Sequence, residues 1–235
     1  MAGWTLISES APARGAWNMA VDEALFRRAE GDGAPGPFLR LYAWSPACLS
    51  LGHHQSFSEA CDPGYCASRG FDVVRRPTGG KAVLHDDEVT YSVVGRMDRP
   101  PFAGLSLIDT YGLIAEALAE GLRRGGLEVS LSQRRGSLSP AGGAPCFLVP
   151  SEKEITASGR KVVGSAQRRG QRAFLQHGAV PLHLDYEALA LASAQPLADA
   201  EGYRRAFAGV ADLRPGLTHE GLGAALADGF RARFE

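Results

Sequence analysis

The sequence predicts an α+β fold, a mostly antiparallel sheet flanked by helices, and three observations carry that prediction. Strand-like runs follow one another through short turns containing Gly, Asp or Ser. Stretches of helical periodicity are grouped apart from those runs instead of alternating with them, which argues against the βαβ pattern of a parallel sheet. The chain has 235 residues, 45% of them apolar, enough to bury a full core, and no linker or internal repeat divides it. A single domain over residues 1–235 is therefore expected.

Each element has its own local signal. Asn18 is the candidate N-cap of a first helix, with Asp22 and Glu23 near its positive end, and the pattern runs through Arg28. Phe38 to Trp44 alternates like a strand; Leu49–Leu51 is a second, ending at Gly52 before the polar cluster His53-His54-Gln55. A short helical stretch leads to Gly70. Phe71–Arg76 and Lys81–Val94 follow as strands, the latter broken by the acidic turn Asp86-Asp87-Glu88. From Ser106 a long amphipathic helix places Leu107, Tyr111, Ile114, Leu118 and Leu122 on one face. Ser106 with Asp109 resembles a capping box, Arg123 and Arg124 suit the last turn, and Gly125–Gly126 stop it. Leu127–Leu131 is a further strand. Ser132–Pro145, rich in Ser, Gly and Pro, is expected to be an irregular loop that delivers Cys146 at its end. Glu154–Ala157, Lys161–Gln167 and Ala173–Val180 then read as a meander, turning at Ser158-Gly159 and Arg169-Gly170, and helical patterns fill most of the rest to Phe234.

Composition excludes several classes of function. The formal net charge is −1, so no nucleic-acid partner is expected. Basic residues gather at Arg75–Arg76, Arg134–Arg135, Arg160–Lys161 and Arg168–Arg169 with Arg172. They form either a basic face for an acidic protein or phosphate, or ordinary solvated surface. No apolar run approaches bilayer length and MAGWTLISES lacks the pattern of a secretory signal, so no membrane role and a cytoplasmic location are expected. Cys48, Cys61, Cys66 and Cys146 are too few and too irregular for a disulfide framework. Cys61 and Cys66 lack a second Cys/His pair, so buried structural thiols are the expectation there and no metal is expected.

The segment from Arg75 to Asp86, RRPTGGKAVLHD, carries the most chemistry. Paired glycines between two strands let the backbone approach a ligand with its N–H groups free, Thr78 adds a hydroxyl, and Arg76 or Lys81 a charge. A Gly-Gly hairpin turn is the other reading; a phosphate-binding P-loop is excluded, because the G-x-x-x-x-G-K-[ST] spacing is missing. His85 and His177 stand on strands, where a histidine is a structural residue or a pocket wall. Cys146 by position alone is either a nucleophile or an inert loop thiol. Val83, Leu84 and Val163 would wall an apolar pocket.

RRPTGGKAVLHDDEVTYSVV resembles the signature segment of the biotin- and lipoate-protein ligase/transferase superfamily. PCFLVPSEKEI, GRKVVGSAQRR and LQHGAVPL, in that order, are similar to one branch of it, the cysteine-dependent octanoyltransferases. The likeness runs from about Gly15 to about Leu182. It implies the superfamily's catalytic-domain fold, with Cys146 as the acyl-accepting thiol and Lys161 as the residue that activates it. It further implies substrate-binding roles for Arg76, Thr78, Gly79, Gly80, Lys81, Ala82, Val83, His85, Gly164, Ser165, Ala166 and His177. The implied partners are octanoyl-acyl carrier protein as donor and, as acceptor, a lipoyl-domain protein such as the glycine-cleavage carrier protein or a dehydrogenase E2 subunit. The implied cofactor is none. An ATP-dependent lipoate-protein ligase is the alternative within the superfamily, and a non-catalytic acyl-carrier-binding protein the alternative outside enzymes.

Overall fold

A computed structural model of the chain describes residues 3–33, 36–132, 153–194 and 199–235. The first half comprises β1 (Thr5–Ser8), α1 (Gly15–Glu30), β2 (Phe38–Tyr42), β3 (Cys48–Leu51), α2 (Phe57–Ala60), α3 (Pro63–Ser68) and β4 (Asp72–Arg75). Then come β5 (Val83–His85), β6 (Glu88–Arg96), α4 (Leu107–Arg124), β7 (Ser130–Leu131), β8 (Ile155–Ala157) and β9 (Arg160–Lys161). The remainder is β10 (Gly164–Arg169), β11 (Ala173–Pro181), α5 (Tyr186–Ala192), α6 (Ala200–Ala206), α7 (Val210–Leu213) and α8 (His219–Phe234).

The strands form a five-stranded sheet in the order β1-β2-β6-β11-β10 and two three-stranded sheets, β4-β3-β5 and β7-β8-β9. Among the described residues β1–β2 and β3–β4 are parallel and the other pairings antiparallel. The expected class, α+β with a mostly antiparallel sheet, is what the chain adopts. β6 is buried at every position because helices cover both faces of its sheet. Successive side chains point to opposite faces. Accordingly Leu39, Val93 and Phe174 join the core under α4 and α8, whereas Phe38, Val94 and Leu175 pack on the α1 side. The buried faces of these strands also carry polar side chains, Arg40, Thr90, Ser92, Gln176 and His177 among them.

Helix α4 starts as expected: the Ser106 hydroxyl accepts from the Asp109 N–H (3.1 Å) and donates to its carboxylate (2.6 Å), satisfying the open helix end. Leu107 is not on the buried face. It is 48% exposed, and the buried stripe runs through Thr110, Ile114, Leu118 and Leu122. Packing on α8 is close enough that a Cβ on Gly229 would lie 2.3 Å from the Gly121 nitrogen.

Several sequence expectations are corrected. α1 begins at Gly15, capped by the extended Arg14, so Asn18 lies inside the helix. Its amide donates to Ala13 O and Ala43 O, which ties the helix to the end of the neighbouring strand; Asp22 is wholly buried and does not serve the helix dipole. The run from Lys81 to Val94, broken at Asp86-Asp87 as expected, is two strands in two different sheets. So is the run from Lys161 to Gln167: β9 pairs with β8, β10 with β11, and the buried Val162–Val163 bridges them. Finally, β4 and β5 do not form a Gly-Gly hairpin, because both pair with β3, one on each side.

Candidate functional site

Since β4 and β5 flank β3, the segment 76–82 must cross the end of β3 to join them. Arg76, buried at 5% exposure, is the hub of that crossing. Its Nη1 donates to Ser50 O (2.9 Å) and Oγ (3.2 Å), and its Nη2 to Gly79 O (2.8 Å) and Lys81 O (2.6 Å). Thr78 O accepts from His53 N (2.9 Å). Gly80, at φ 97°, lies so close to Gly52 that a Cβ on Gly52 would sit 2.0 Å from Gly80 O. The carbonyls of Thr78, Gly79, Gly80 and Lys81 are thus turned into the protein, and glycine is required where they meet β3's end. Burial pushes the Arg76 pKa down to about 10, which leaves the guanidinium charged at neutral pH. Arg75 is engaged too, its Nη1 donating to the carbonyls of Gly52, His53 and Gln55.

Between this segment, α1, β6, β10 and β11 lies a cavity of about 220 Å³. Of the residues named from sequence, Arg76, Gly80, Lys81, Val83, His85, Lys161, Gly164, Ser165, Ala166 and His177 line it, together with Met19, Tyr42 and Trp44. Thr78 and Gly79 sit behind the wall, and Ala82 lines a smaller apolar cavity of about 50 Å³ that shares Val83, Lys161, Gly164 and Ala179 with the first. Cys146, Arg134 and Arg135 lie outside the described residues.

Lys161 reaches the cavity from β9, 8% exposed, with Nζ 2.6 Å from Glu154 Oε1. The turn Ser158-Gly159, both residues at positive φ, closes a two-residue hairpin that pairs Thr156 with Lys161. That register makes Glu154 the diagonal neighbour of Lys161 on one face. Glu154, also on the cavity wall, was not singled out from sequence, although the Ser-Gly turn held the register that finds it.

The two histidines are held in similar ways. His177 Nδ1 lies 3.0 Å from Asp22 Oδ2 and its Nε2 2.6 Å from Thr78 Oγ1. Asp22 also accepts from Arg40 Nη1 (2.8 Å), Ser92 Oγ (2.8 Å) and Tyr42 OH (3.0 Å). Burial opposes its charge, but the hydrogen bonds from His177 and Ser92 and the Arg40 guanidinium outweigh it and hold the carboxyl below its ordinary range. Burial lowers the His177 pKa, with the Arg76 charge adding to the effect and Asp22 opposing it. His85 Nδ1 lies 2.8 Å from Glu88 Oε1 and Nε2 2.7 Å from Ser50 Oγ, the ring stacked on Trp44 with centroids 4.2 Å apart. No local pattern marks Asp22: its partners come from three strands, β2, β6 and β11.

The basic clusters do not form one free face. Arg169 donates to Leu105 O (3.0 Å) and Thr110 Oγ1 (2.8 Å), and Arg172 pairs with Asp32, leaving Arg168 exposed with its guanidinium over the Phe26 ring. Cys61 and Cys66 are buried 3.9 Å apart, sulfur to sulfur, and burial pushes the Cys66 thiol up to about 12. No helix among the described residues is long and apolar enough to cross a membrane.

Comparison with known proteins adds the following. The lipoyl protein ligase A/B catalytic domain model matches residues 14–231. The octanoyltransferase LipM of Moorella thermoacetica is 48% identical over 169 residues, which cover 72% of this chain and 61% of that protein. LipM of Kyrpidia tusciae is 43% identical over 193 residues, 80% of this chain and 69% of that protein. The chain thus spans less than two thirds of the length of the first relative and slightly more of the second. A lipoic-acid-bound structure of a lipoate protein ligase candidate from T. acidophilum superposes with a TM-score of 0.79 at 25% identity, over 97% of this chain and 84% of that one.

Proposed function

Because the chain belongs to the lipoyl protein ligase A/B catalytic-domain family, we propose that it transfers an octanoyl group from acyl carrier protein to a lysine of a lipoyl-domain protein, through a thioester on Cys146. The observation that carries this reading is the buried Lys161 on the wall of an apolar cavity that residues of the signature segment also line. The LipM relatives support the acyl group and the reaction class.

In the first half-reaction the Cys146 thiolate attacks the carbonyl of the donor thioester; the new C–S bond forms, the old one breaks, and the carrier leaves as a thiol after taking a proton. In the second, a neutral lysine amine attacks the Cys146 thioester. The C–N bond forms, the amine loses a proton, and the Cys146 thiolate is released. A thioester already has a good leaving group, so the site's work is to hold the carbonyl and stabilise its oxyanion. Lys161 supplies a positive charge beside that carbonyl, kept in place by Glu154. The amide hydrogens of Gly80 and Lys81, the residues of this segment that line the cavity, are the donors available to the oxyanion. Met19, Tyr42, Trp44 and Val83 receive the alkyl chain, at about 0.8 kcal/mol per buried methylene.

The test is to incubate the purified protein with octanoyl-acyl carrier protein and map the adduct by mass spectrometry. An octanoyl group on the Cys146 peptide, absent from Cys48, Cys61 and Cys66 and lost with all transfer in Cys146→Ala, is the expected result. Transfer by Cys146→Ala that requires ATP and free acid would replace this reading with that of a ligase, the class suggested by the superposed structure. Carrier binding without adduct or turnover would leave a docking protein.

A further inference from the structure

Two chains of contacts with the same chemistry run from buried carboxylates to the segment 76–82 that crosses the end of β3. One passes from Asp22 through His177 to Thr78, the other from Glu88 through His85 to Ser50, which in turn receives Arg76. Asp22, Thr78 and Ser50 are fully buried and Glu88 is nearly so. A carboxylate accepts hydrogen bonds, so the ring nitrogen facing it, Nδ1, carries the hydrogen in each histidine. Nε2 then accepts, and the hydrogens of the Thr78 and Ser50 hydroxyls must be turned toward it.

We propose that Asp22 and Glu88 are positioning residues: by fixing His177 and His85 as Nδ1–H tautomers they orient the Thr78 and Ser50 hydroxyls and anchor the crossing segment 76–82. Thr78 ties the segment to β11, and Ser50, through Arg76, ties the Gly79 and Lys81 carbonyls to β3. The donors that meet a developing oxyanion are thereby arranged before the acyl group arrives, which is where such donors gain most of their effect. Burial keeps the His177 ring neutral at pH 7, as this arrangement needs. For its consequence on rate the inference rests on the acyl-transfer reading above; the tautomers do not depend on it.

The experiment compares Thr78→Val with Thr78→Ser in the full chain and records the ring ¹⁵N shifts of the wild type and of Asp22→Asn. Wild-type His177 and His85 should show a hydrogen on Nδ1 and none on Nε2. In Asp22→Asn the carboxamide can donate to Nδ1, and the hydrogen of His177 should move to Nε2. Thr78→Val should lower kcat about tenfold, the size of one lost hydrogen bond, with little change in KM. Thr78→Ser should restore it. A wild-type His177 protonated on Nε2, or a Thr78→Val enzyme with undiminished kcat, overturns the proposal. Should Asp22→Asn fail to fold because Arg40 loses its partner, the Thr78 pair and the wild-type shifts still decide. A wild type that forms no acyl-enzyme would defeat the transfer reading, with the nitrogen shifts left to judge the anchoring.

Discussion

A buried ammonium 2.6 Å from a buried carboxylate, as at Lys161 and Glu154, is a different reagent from an unpaired one. Two unit charges about 4 Å apart interact by about 4 kcal/mol at an effective dielectric of 20, so Glu154 offsets much of the field that Lys161 would exert on a thiol brought beside it, as proposed for Cys146. An unperturbed thiol titrates at about 8.5. Lys161→Ala should therefore move the midpoint of Cys146 alkylation up toward that value, and Glu154→Gln should move it down by exposing the ammonium. Transfer should fall at least tenfold in Lys161→Ala, and Lys161→Arg should recover little, since a planar guanidinium does not replace a compact ammonium. Alkylation by a small thiol reagent across pH 6 to 10 checks both shifts; midpoints that stay put in both variants would remove Lys161 from thiol activation. At this scale the sequence was readable only in part. Lys161 and the signature residues were legible because a contiguous run carried them. Asp22 and His177 are 155 positions apart, and nothing local to either announces the other.

Strands β10 and β11 approach so closely at Gly178 that a Cβ there would lie 2.1 Å from Gly164 O and 2.8 Å from the Tyr91 ring. Gly178→Ala should push the strands apart, weaken the Tyr91–Ser165 hydrogen bond on the cavity side, and cost about 1–3 kcal/mol, the usual penalty of overpacking. Thermal melting measures it, against Gly223→Ala in α8 as the control. A Cβ on Gly223 meets nothing within 4 Å, so that change should hold or raise the melting temperature. Equal melting of the two variants would refute the close-approach account. Element by element, legibility followed local chemistry. α4 announced both its ends through Ser106, Asp109 and the glycines after Arg124. The passage of one apolar run from sheet to sheet at Val162–Val163 was invisible, because both residues stay buried and the apolar pattern never pauses. A hairpin at Gly79–Gly80 was likewise one of two open readings, since pairing partners are a property of the sheet and not of the loop.

Across the whole molecule the buried network makes folding sensitive to acid. His177 binds its proton less readily in the fold than its ordinary value of 6.5, because burial opposes the charge despite Asp22; Arg76 and His85 also face it and act against protonation. The unfolded chain therefore holds more protons below that value, so this contribution is complete above about pH 6.5 and shrinks as the pH falls. Asp22, held below its ordinary 3.8, adds a second loss in the same direction at lower pH. The melting temperature should drop between pH 7.5 and 5.5, with a shallower slope in His177→Gln; parallel slopes would show that His177 does not govern this window. The small sheet brings the two ends of the Cys146 segment together. Ser132 N donates to Glu154 O (2.8 Å) and Lys153 N to Ser132 O (2.9 Å), so the chain that departs at Ser132 returns beside its own starting point, next to the Glu154–Lys161 pair. Cys146 is seven positions before Lys153, and seven extended residues reach at most about 25 Å. If the proposed thioester forms on Cys146, a thiol tethered within that reach would meet the lysine at an effective concentration on the order of millimolar or above, whatever the amount of enzyme present. Cutting the backbone once between Ser132 and Cys146 would keep that tether, whereas a cut between Cys146 and Lys153 would turn an encounter within one chain into one that depends on how the two pieces stay associated.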